Sequence, residues 1–295
     1  MKKNNILSSK RLEELKKKKR KILRNKILFF VFIFLVFFIG LAFLSRWQNL
    51  NINTVVVSGN KVIDTKSIEE IANQNIKGHY LWLFPKSNFI IYPQHKIEKE
   101  LKNKFKRIKS LSVNEKNIKT LEISVSEYEG KYLWCGYTIP ELNNNSSQKC
   151  YFSDSDGYIF DEAPYFSGNV YFKFYGKTSS NTEDPSGYYF MTDNFKKIIS
   201  FKETLEKMNL KLSAFFEEDN GDMNIYLYSD STNLSSGPKI IFRKDADFEK
   251  IAENLQAALT TEPLLSDFKN KYSSLLYIDL RFGNKVYYKF GETKQ

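Results

Sequence analysis

Two cysteines and two histidines are the residues of this 295-residue chain best suited to act as a nucleophile, a general base or a zinc ligand. Cys135 and Cys150 are separated by fourteen residues, whereas His79 and His95 lie in an earlier part of the chain and are expected on its surface. A catalytic cysteine needs a histidine within reach. A zinc site usually shows closely spaced pairs such as Cys-x-x-Cys. Since neither pattern is present, the sequence predicts no catalytic residue, no metal site and no cofactor.

The two cysteines have two alternative states, a disulfide or two free thiols. Each borders a predicted strand, in YLWCG and KCYF, and the loop between them contains NNNSSQ at 143–148. Outside the cytoplasm, a bridge between Cys135 and Cys150 would stabilise the fold by ~3 kcal/mol in the chain-entropy model. The pattern favours the disulfide, with free thiols as the alternative.

Two further motifs resemble ligand-binding loops but lack essential residues. Asp154–Gly157 begins like a calcium loop, yet the third oxygen ligand before the glycine and the closing glutamate are missing, so we interpret it as a hairpin turn. Gly176–Thr178 resembles the end of a phosphate-binding loop, but Tyr171 occupies the position of the required first glycine. Neither motif predicts a ligand.

The net charge of +11 is concentrated in the N-terminal segment. Residues 1–26 contain twelve Lys or Arg and two Glu, a balance of +10, and the remaining residues balance to +1. Nucleic-acid binding draws its affinity from clustered positive charge, which the nearly neutral remainder lacks. The composition therefore argues against a nucleic-acid partner.

The basic segment, 1–26, is followed by an apolar segment, Ile27–Leu44, of eighteen residues without a charge or a strongly polar group. At ~1.5 Å per residue, a helix of this length spans about 27 Å, close to the hydrocarbon thickness of a bilayer. A cleaved signal peptide is the alternative, but it would have a shorter apolar region and small residues where Ala42–Ser45 has Phe and Leu. We expect an uncleaved single-pass anchor.

The orientation of this anchor follows from the charge that precedes it. Six consecutive basic residues stand just before the apolar segment: Lys16, Lys17, Lys18, Lys19, Arg20 and Lys21. Positive charge is retained on the cytoplasmic side of a membrane. The N-terminus is therefore expected in the cytoplasm and everything after Arg46 outside.

Residues 51–127 have the pattern of a small β-α-α-β-β domain. The predicted elements are a strand at 52–60, a helix starting after Asp64, an apolar connector at 81–85, a helix at 95–105, and strands at 111–113 and 121–125. Asp64 suits an N-cap because its carboxylate accepts from free N–H groups of the first helical turn. Ile68, Ile71 and Ala72 then share one helical face.

Residues 128–295 are predicted to be mostly strands, interrupted by two helices. The helices are expected at about 193–208, burying Phe195, Ile198, Ile199 and Leu205, and at 247–259, with a stripe of Phe248, Ile251, Ala252, Leu255 and Leu259. Further strands are expected near 212–216, 224–228 and 239–242, and polar loops at 143–148, 177–187 and 231–238. This order indicates the α+β class, with helices packed on an antiparallel sheet.

Three stretches together resemble the FtsQ/DivIB family of cell-division proteins. They are VVVSGNKVIDTKSIEEIA at 55–72, NIKTLEISVSE at 117–127 followed by Trp134, and YIDLRFGNKVYY at 277–288. Ile118 stands where the family usually has proline, a departure that costs only a turn preference. The resemblance covers about Ile52 to Phe290 and implies a POTRA domain at 51–127 followed by a C-terminal β-domain at 128–295.

The resemblance also implies a function. Members of this family are non-enzymatic membrane-anchored scaffolds that couple septum formation to cell-wall synthesis. Their partners are other divisome membrane proteins, both small bitopic coiled-coil proteins and septal wall synthases. By this resemblance the protein is expected in the cytoplasmic membrane, at the division septum.

The closing segment LLYIDLRFGNKVYYKF, at 275–290, is predicted to be a hairpin with a three-residue loop, Gly283–Lys285, and a bulge. This loop length puts the apolar side chains on one face, whereas a two-residue loop would mix apolar and charged rows. The expected cross-strand pairs are Ile278 with Phe290, Leu280 with Tyr288, and Phe282 with Val286.

The last strand of this hairpin has two interpretations, an edge protected by lysine or an edge to which a partner adds a strand. The resemblance favours the second, because the family uses the end of its β-domain to hold small bitopic coiled-coil proteins. It implies that partner binding involves Tyr277, Arg281, Tyr287, Tyr288 and Lys289. Charge reversal at Arg281 and Lys289 is then expected to weaken partner capture without changing the melting temperature.

Two other functions fit parts of the pattern. A POTRA-bearing component of a protein export or surface-assembly system would also recognise extended chains by strand pairing, but POTRA domains there tend to occur in tandem or before a membrane barrel. A cell-wall enzyme such as a cysteine transpeptidase is disfavoured by the missing pairing of histidine and cysteine.

Overall fold

The computed structural model describes residues 10–140, 148–166, 168–179, 184–191, 194–229, 234 and 237–291. Its first helix, α1, runs from Lys10 to Ser45. Within these residues it is the one helix long and apolar enough to cross a membrane. Most of its apolar side chains are exposed, whereas a helix of a soluble domain buries one face. The first nine residues of the basic segment lie outside the described part, as do most of the predicted loops at 143–148 and 231–238 and part of the one at 177–187.

The first of two compact units comprises the residues up to 105 together with 110–126. After α1 its elements are β1 (Thr54–Ser58), α2 (Thr65–Ile76), β2 (His79–Tyr80), β3 (Phe84–Pro85), α3 (Gln94–Lys104), β4 (Ile108–Asn117) and β5 (Thr120–Glu127). The sheet has the order β1-β5-β4, with β1 parallel to β5. The predicted β-α-α-β-β order is confirmed, and the connector expected at 81–85 adds a small hairpin formed by β2 and β3.

Local sequence signals explain the helices of this unit. Asp64 caps α2 by accepting a hydrogen bond from the Ser67 backbone N–H at 3.0 Å, as its short carboxylate predicts. Ile68, Ile71 and Ala72 are buried as expected. In α3 the buried residues are Ile97 and Leu101, which lie four residues apart and so share one face of the helix predicted at 95–105.

The second unit comprises 106–109 and the residues from 127 onward. Its strands are β6 (Tyr132–Trp134), β7 (Cys150–Ser153), β8 (Ile159–Ala163), β9 (Lys173–Tyr175), β10 (Leu212–Glu217), β11 (Asp222–Leu227), β12 (Lys239–Arg243), β13 (Leu275–Phe282) and β14 (Lys285–Phe290). They form one nine-stranded sheet in the order β14-β13-β12-β11-β10-β9-β6-β7-β8. Its helices are α4 (Phe195–Lys207), α5 (Phe248–Leu259) and α6 (Leu264–Asn270).

This sheet is mixed, whereas the sequence indicated an antiparallel one. β9 is parallel to both of its neighbours, β6 and β10, and β12 is parallel to β13. Helices α5 and α6 lie between β12 and β13 in the chain, and parallel neighbours require such a crossover. Alternation of side chains locates a strand but does not encode its direction, so this part of the prediction was wrong. The α+β class is confirmed.

The core of the second unit is rich in phenylalanine and is covered by the two predicted helices. Asp247 caps α5 by accepting from the backbone N–H groups of Glu249 and Lys250. In α4, Ile199 is only partly buried, and Phe201 is buried in its place. The fully buried phenylalanines at the centre are Phe174, Phe190, Phe195, Phe215 and Phe242. Helical periodicity thus located both helices and misassigned one position of the buried face.

The cysteines and histidines that were considered as catalytic or zinc-binding residues form no common site. Cys135 and Cys150 form a disulfide that joins the end of β6 to β7. His79 and His95 are exposed in the first unit. The described residues contain neither a free thiol nor a group of three candidate metal ligands.

The segment Asp154–Gly157 is a hairpin turn between β7 and β8, as predicted. The Asp154 Oδ1 atom accepts from the backbone N–H groups of Asp156 at 2.9 Å and Tyr158 at 2.8 Å. Gly157 has a φ of +84°, a conformation that favours glycine. The Asp154 carboxylate therefore stabilises the turn by pairing with the backbone.

Candidate partner-binding edge

Strand β14 forms one margin of the nine-stranded sheet. Among the strands that the structure describes, β13 is its only hydrogen-bonded neighbour. At the opposite margin, the first residue of β8 already has backbone partners outside the sheet. The Ile159 N–H donates to the carbonyl of Tyr188 at 2.9 Å, and the Gly187 N–H donates to the carbonyl of Ile159 at 2.7 Å. An edge strand with free backbone groups can accept a further strand.

The turn of the β13–β14 hairpin differs from the predicted one. Phe282 pairs with Lys285, so the loop has two residues, Gly283 and Asn284, rather than three. A bulge shifts the register between Asp279 and Phe282. A one-residue slip moves every side chain of a strand to the other face of the sheet. The bulge, rather than a longer loop, therefore places the apolar side chains of β13 and β14 on the same face.

The shifted register changes the cross-strand pairs but keeps most of the apolar face. Ile278 lies opposite Tyr288, and Phe290 lies opposite Leu275, so the predicted pairs were wrong. The hairpin residues that pack against the core are Leu275, Ile278, Leu280, Val286, Tyr288 and Phe290. Phe282 was expected among them but is 55% exposed, and its ring centroid lies 5.1 Å from that of Tyr287.

The five residues expected to bind a partner fall into three environments. Tyr287 is 48% exposed, Lys289 is exposed, and Tyr277, opposite Lys289, is partly buried. Tyr288 faces the core, where its ring centroid lies 5.9 Å from that of Phe290. Arg281 is held by carboxylates. The outer face of the hairpin therefore offers Tyr277, Tyr287 and Lys289 to a neighbouring chain.

Arg281 is the centre of an ion-pair network within the sheet. Its guanidinium donates to Asp279 at 2.9 and 2.6 Å and to Asp222 on β11 at 2.6 Å. The hydrogen bond to Asp279 is the main cause that raises the pKa of Arg281. Asp279 is buried, and a buried carboxylate needs a charged partner. The sequence analysis expected charge reversal at Arg281 to leave the melting temperature unchanged. Because Arg281 pairs with a buried carboxylate, we now expect charge reversal to lower the melting temperature.

The sequence analysis did not predict this network, because Asp222 is distant in the chain from Asp279 and Arg281. Asp222 and Arg281 are 59 residues apart, and β12 lies between β11 and β13 in the sheet. The one local signal is Asp279, a carboxylate in the apolar strand pattern YIDLRF. A charge at such a position indicates a cationic partner but does not identify it.

A family model described as a POTRA domain of the FtsQ type matches residues 50–128. This range contains β1 to β5 with α2 and α3. Residues 50–128 are an FtsQ-type POTRA domain. No curated protein matches the chain.

The POTRA domain begins a few residues after α1 ends. The protein is thus a POTRA-containing protein with one N-terminal apolar helix, which suggests a single-pass membrane anchor. POTRA domains mediate protein–protein interaction, and proteins of the FtsQ type are generally non-enzymatic. The name of the matching domain type implies a connection with cell division.

Proposed function

We propose that this protein is a non-enzymatic, membrane-anchored scaffold of the cell-division machinery. It binds other divisome membrane proteins outside the cytoplasmic membrane and couples septum formation to cell-wall synthesis. The observation that carries this proposal is the FtsQ-type POTRA domain placed directly after an apolar helix with a basic N-terminal flank.

The proposed topology assigns a task to each segment. Residues 1–26 are a cytoplasmic tail, 27–44 cross the membrane, 51–127 are the POTRA domain, and 128–295 are the C-terminal β-domain. The basic run 16–21 keeps the tail in the cytoplasm. Both folded units then lie on the outer side, where the disulfide between Cys135 and Cys150 is chemically stable.

Partner capture is proposed to occur by strand addition at β14. A bitopic coiled-coil division protein contributes an extended segment that hydrogen-bonds to the free margin of the sheet. Tyr277, Tyr287 and Lys289 contact the side chains of that segment. Tyr288 and Arg281 hold the hairpin in place, Tyr288 by packing on the core and Arg281 by its ion pairs.

A component of protein export or surface assembly is the second candidate function, because the free margin of β14 would also suit extended clients. A full-length fluorescent fusion in dividing cells separates the two. We expect a band at midcell that appears with the septum, since a division scaffold must follow its partners. A single-pass protein without a division role, fused to the same fluorophore, provides the uniform membrane control. Uniform fluorescence of our fusion would contradict the division function.

The side chains beside the free margin provide a direct test of the partner-binding edge. The double change Tyr287→Ser and Lys289→Glu is expected to reduce partner recovery about tenfold, as loss of an interface aromatic and reversal of an adjacent charge commonly do. Both side chains are exposed, and Tyr287 loses only its ring contact with Phe282, so the free energy of unfolding should change by no more than about 1 kcal/mol. Pull-down of the full-length protein from detergent-solubilised dividing cells measures recovery, and thermal denaturation measures stability.

The matched control for this test is Lys197→Glu, which makes the same charge change at an exposed position of α4. It should leave partner recovery unchanged. Truncating β14 is a poor alternative, since it would also remove Val286, Tyr288 and Phe290 from the core. Equal recovery by the double variant and the wild type would rule out this face as the binding edge.

A further inference from the structure

The β2–β3 hairpin presents two large apolar side chains to solvent at its tip. Leu81 is 78% exposed and Trp82 is 91% exposed. The Leu83 backbone N–H donates to the carbonyl of Tyr80 at 3.0 Å and closes the turn. Such an exposed pair is unusual for a small soluble hairpin, and it marks a contact surface.

The backbone of this tip is also unfavourable for its side chains. Leu81 has a φ of +47° and Trp82 a φ of +61°. Two consecutive positive values are typical of a turn that prefers Asn-Gly, because Cβ atoms clash there. Backbone strain of this kind is commonly retained where the exposed side chains have a binding role.

The hairpin lies along the outer end of α1, within the same unit. The ring of Phe84 packs edge-on against that of Phe38, with centroids 5.1 Å apart. Arg46 donates from Nε to the carbonyl of Leu83 at 3.1 Å and from Nη2 to that of Trp82 at 3.0 Å. These contacts hold the C-terminal side of the tip against α1 and the residue that follows it.

The position of Phe38 gives the depth of the hairpin. Phe38 lies eight residues before Arg46, which is about 12 Å along a helix at ~1.5 Å per residue. It also belongs to the apolar segment 27–44 that is proposed to cross the membrane. Because Phe84 packs against Phe38 while Trp82 and Leu83 bond to Arg46, the ring of Phe84 reaches into the apolar layer and the tip lies at the level of the head groups.

The charges beside the hairpin fit the head-group region of a membrane. A recess of about 740 Å³ next to Trp82 has the cations Arg46 and Lys119 in its lining, and no carboxylate is among its described lining residues. Cations and amide donors are suited to lipid phosphate groups. Tryptophan is itself enriched at the level where head groups meet acyl chains.

We propose that the β2–β3 hairpin inserts Leu81 and Trp82 into the outer leaflet of the bilayer beside α1. The protein then holds the membrane at two adjacent points, the helix and the hairpin. This second point fixes the height of the POTRA domain above the membrane and restrains its rotation about the helix axis. The inference rests on the proposed membrane anchoring by α1.

Tryptophan quenching in vesicles tests this insertion. The chain has three tryptophans, so full-length Trp47→Phe retains Trp82 and Trp134, and Trp47→Phe/Trp82→Phe retains Trp134 alone. Trp47 and Trp82 are exposed, so neither change removes core packing. The difference between the two spectra reports Trp82. Vesicles of phosphatidylcholine and phosphatidylglycerol carry bromine on the acyl chains, either near the head group or deeper, and iodide is supplied on both sides as the aqueous quencher.

We expect lipid bromine near the head group to remove at least half of the Trp82 emission, and iodide to have little effect. Trp134 is buried and donates to the carbonyl of Gly176 at 3.1 Å, so its emission should respond to neither quencher. Emission quenched by iodide and not by lipid, in protein that floats with the vesicles, would overturn the insertion and leave the anchoring intact. Protein that does not float with the vesicles would overturn the anchoring, and with it the insertion.

Discussion

Replacing Arg281 by methionine is expected to lower the free energy of unfolding by about 2–4 kcal/mol. The change leaves Asp279, whose side chain is 7% exposed, and Asp222, which is 17% exposed, without their shared cation. We place the effect below that of a fully buried pair because the Arg281 side chain is 32% exposed and partly screened by water. Chemical denaturation of the full-length protein in detergent, followed by circular dichroism, measures the loss.

Two matched variants show whether charge is the cause. Arg281→Met combined with Asp222→Asn and Asp279→Asn should recover most of the stability, because uncharged groups need no cation. Arg281→Lys should give an intermediate loss, since an ammonium cannot reproduce the two-nitrogen contact with Asp279. If Arg281→Met unfolds at the wild-type denaturant concentration, the network does not stabilise the sheet. Arg281 would then be considered again as a partner-binding residue.

Replacing Gly59 by alanine is expected to lower the free energy of unfolding of the POTRA domain by about 3 kcal/mol or more. Gly59 has a φ of +82°, and a Cβ atom added there would overlap the backbone carbonyl of Val125. Val125 lies on β5, which pairs with β1 just before the glycine. Relief of the overlap would therefore separate two paired strands. Denaturation of the full-length protein measures the loss.

Gly78→Ala is the matched control in the same domain. Gly78 has a similar φ of +88°, but no heavy atom lies within 4 Å of an added Cβ. Only the conformational cost of a positive φ remains, about 1 kcal/mol. Equal losses for the two variants would show that the contact with Val125 has no effect on stability.

Features encoded by neighbouring residues were predictable from the sequence. The apolar run 27–44 predicted a helix long enough to cross a membrane, and the structure contains it within α1. Asp64 was predicted as the cap of one helix and Asp247 as the first residue of another, and both cap a helix in the structure. These signals are local because a cap or a helical face involves residues within one or two turns.

The candidate edge was only partly predictable. The alternation in 275–290 located both strands of the hairpin and most of its core-facing residues, including Ile278 and Leu280. It predicted a bulge but placed it with a three-residue loop rather than after Asp279, because that loop length satisfied the same burial pattern. The exposed tip at Leu81 and Trp82 was equally hidden, since an apolar connector predicts burial.

The sequence by itself determined the long apolar helix, the approximate bounds of α2 to α5, the β-α-α-β-β order and a resemblance whose POTRA part, residues 50–128, the family model confirms. Only the tertiary structure decided the parallel pairing of β12 with β13, the register of the β13–β14 hairpin and the ion pairs of Arg281. The physical reason is the separation of the interacting groups along the chain. Alternation and capping depend on adjacent residues, whereas strand direction, sheet order and charge pairing depend on which distant segments pack together.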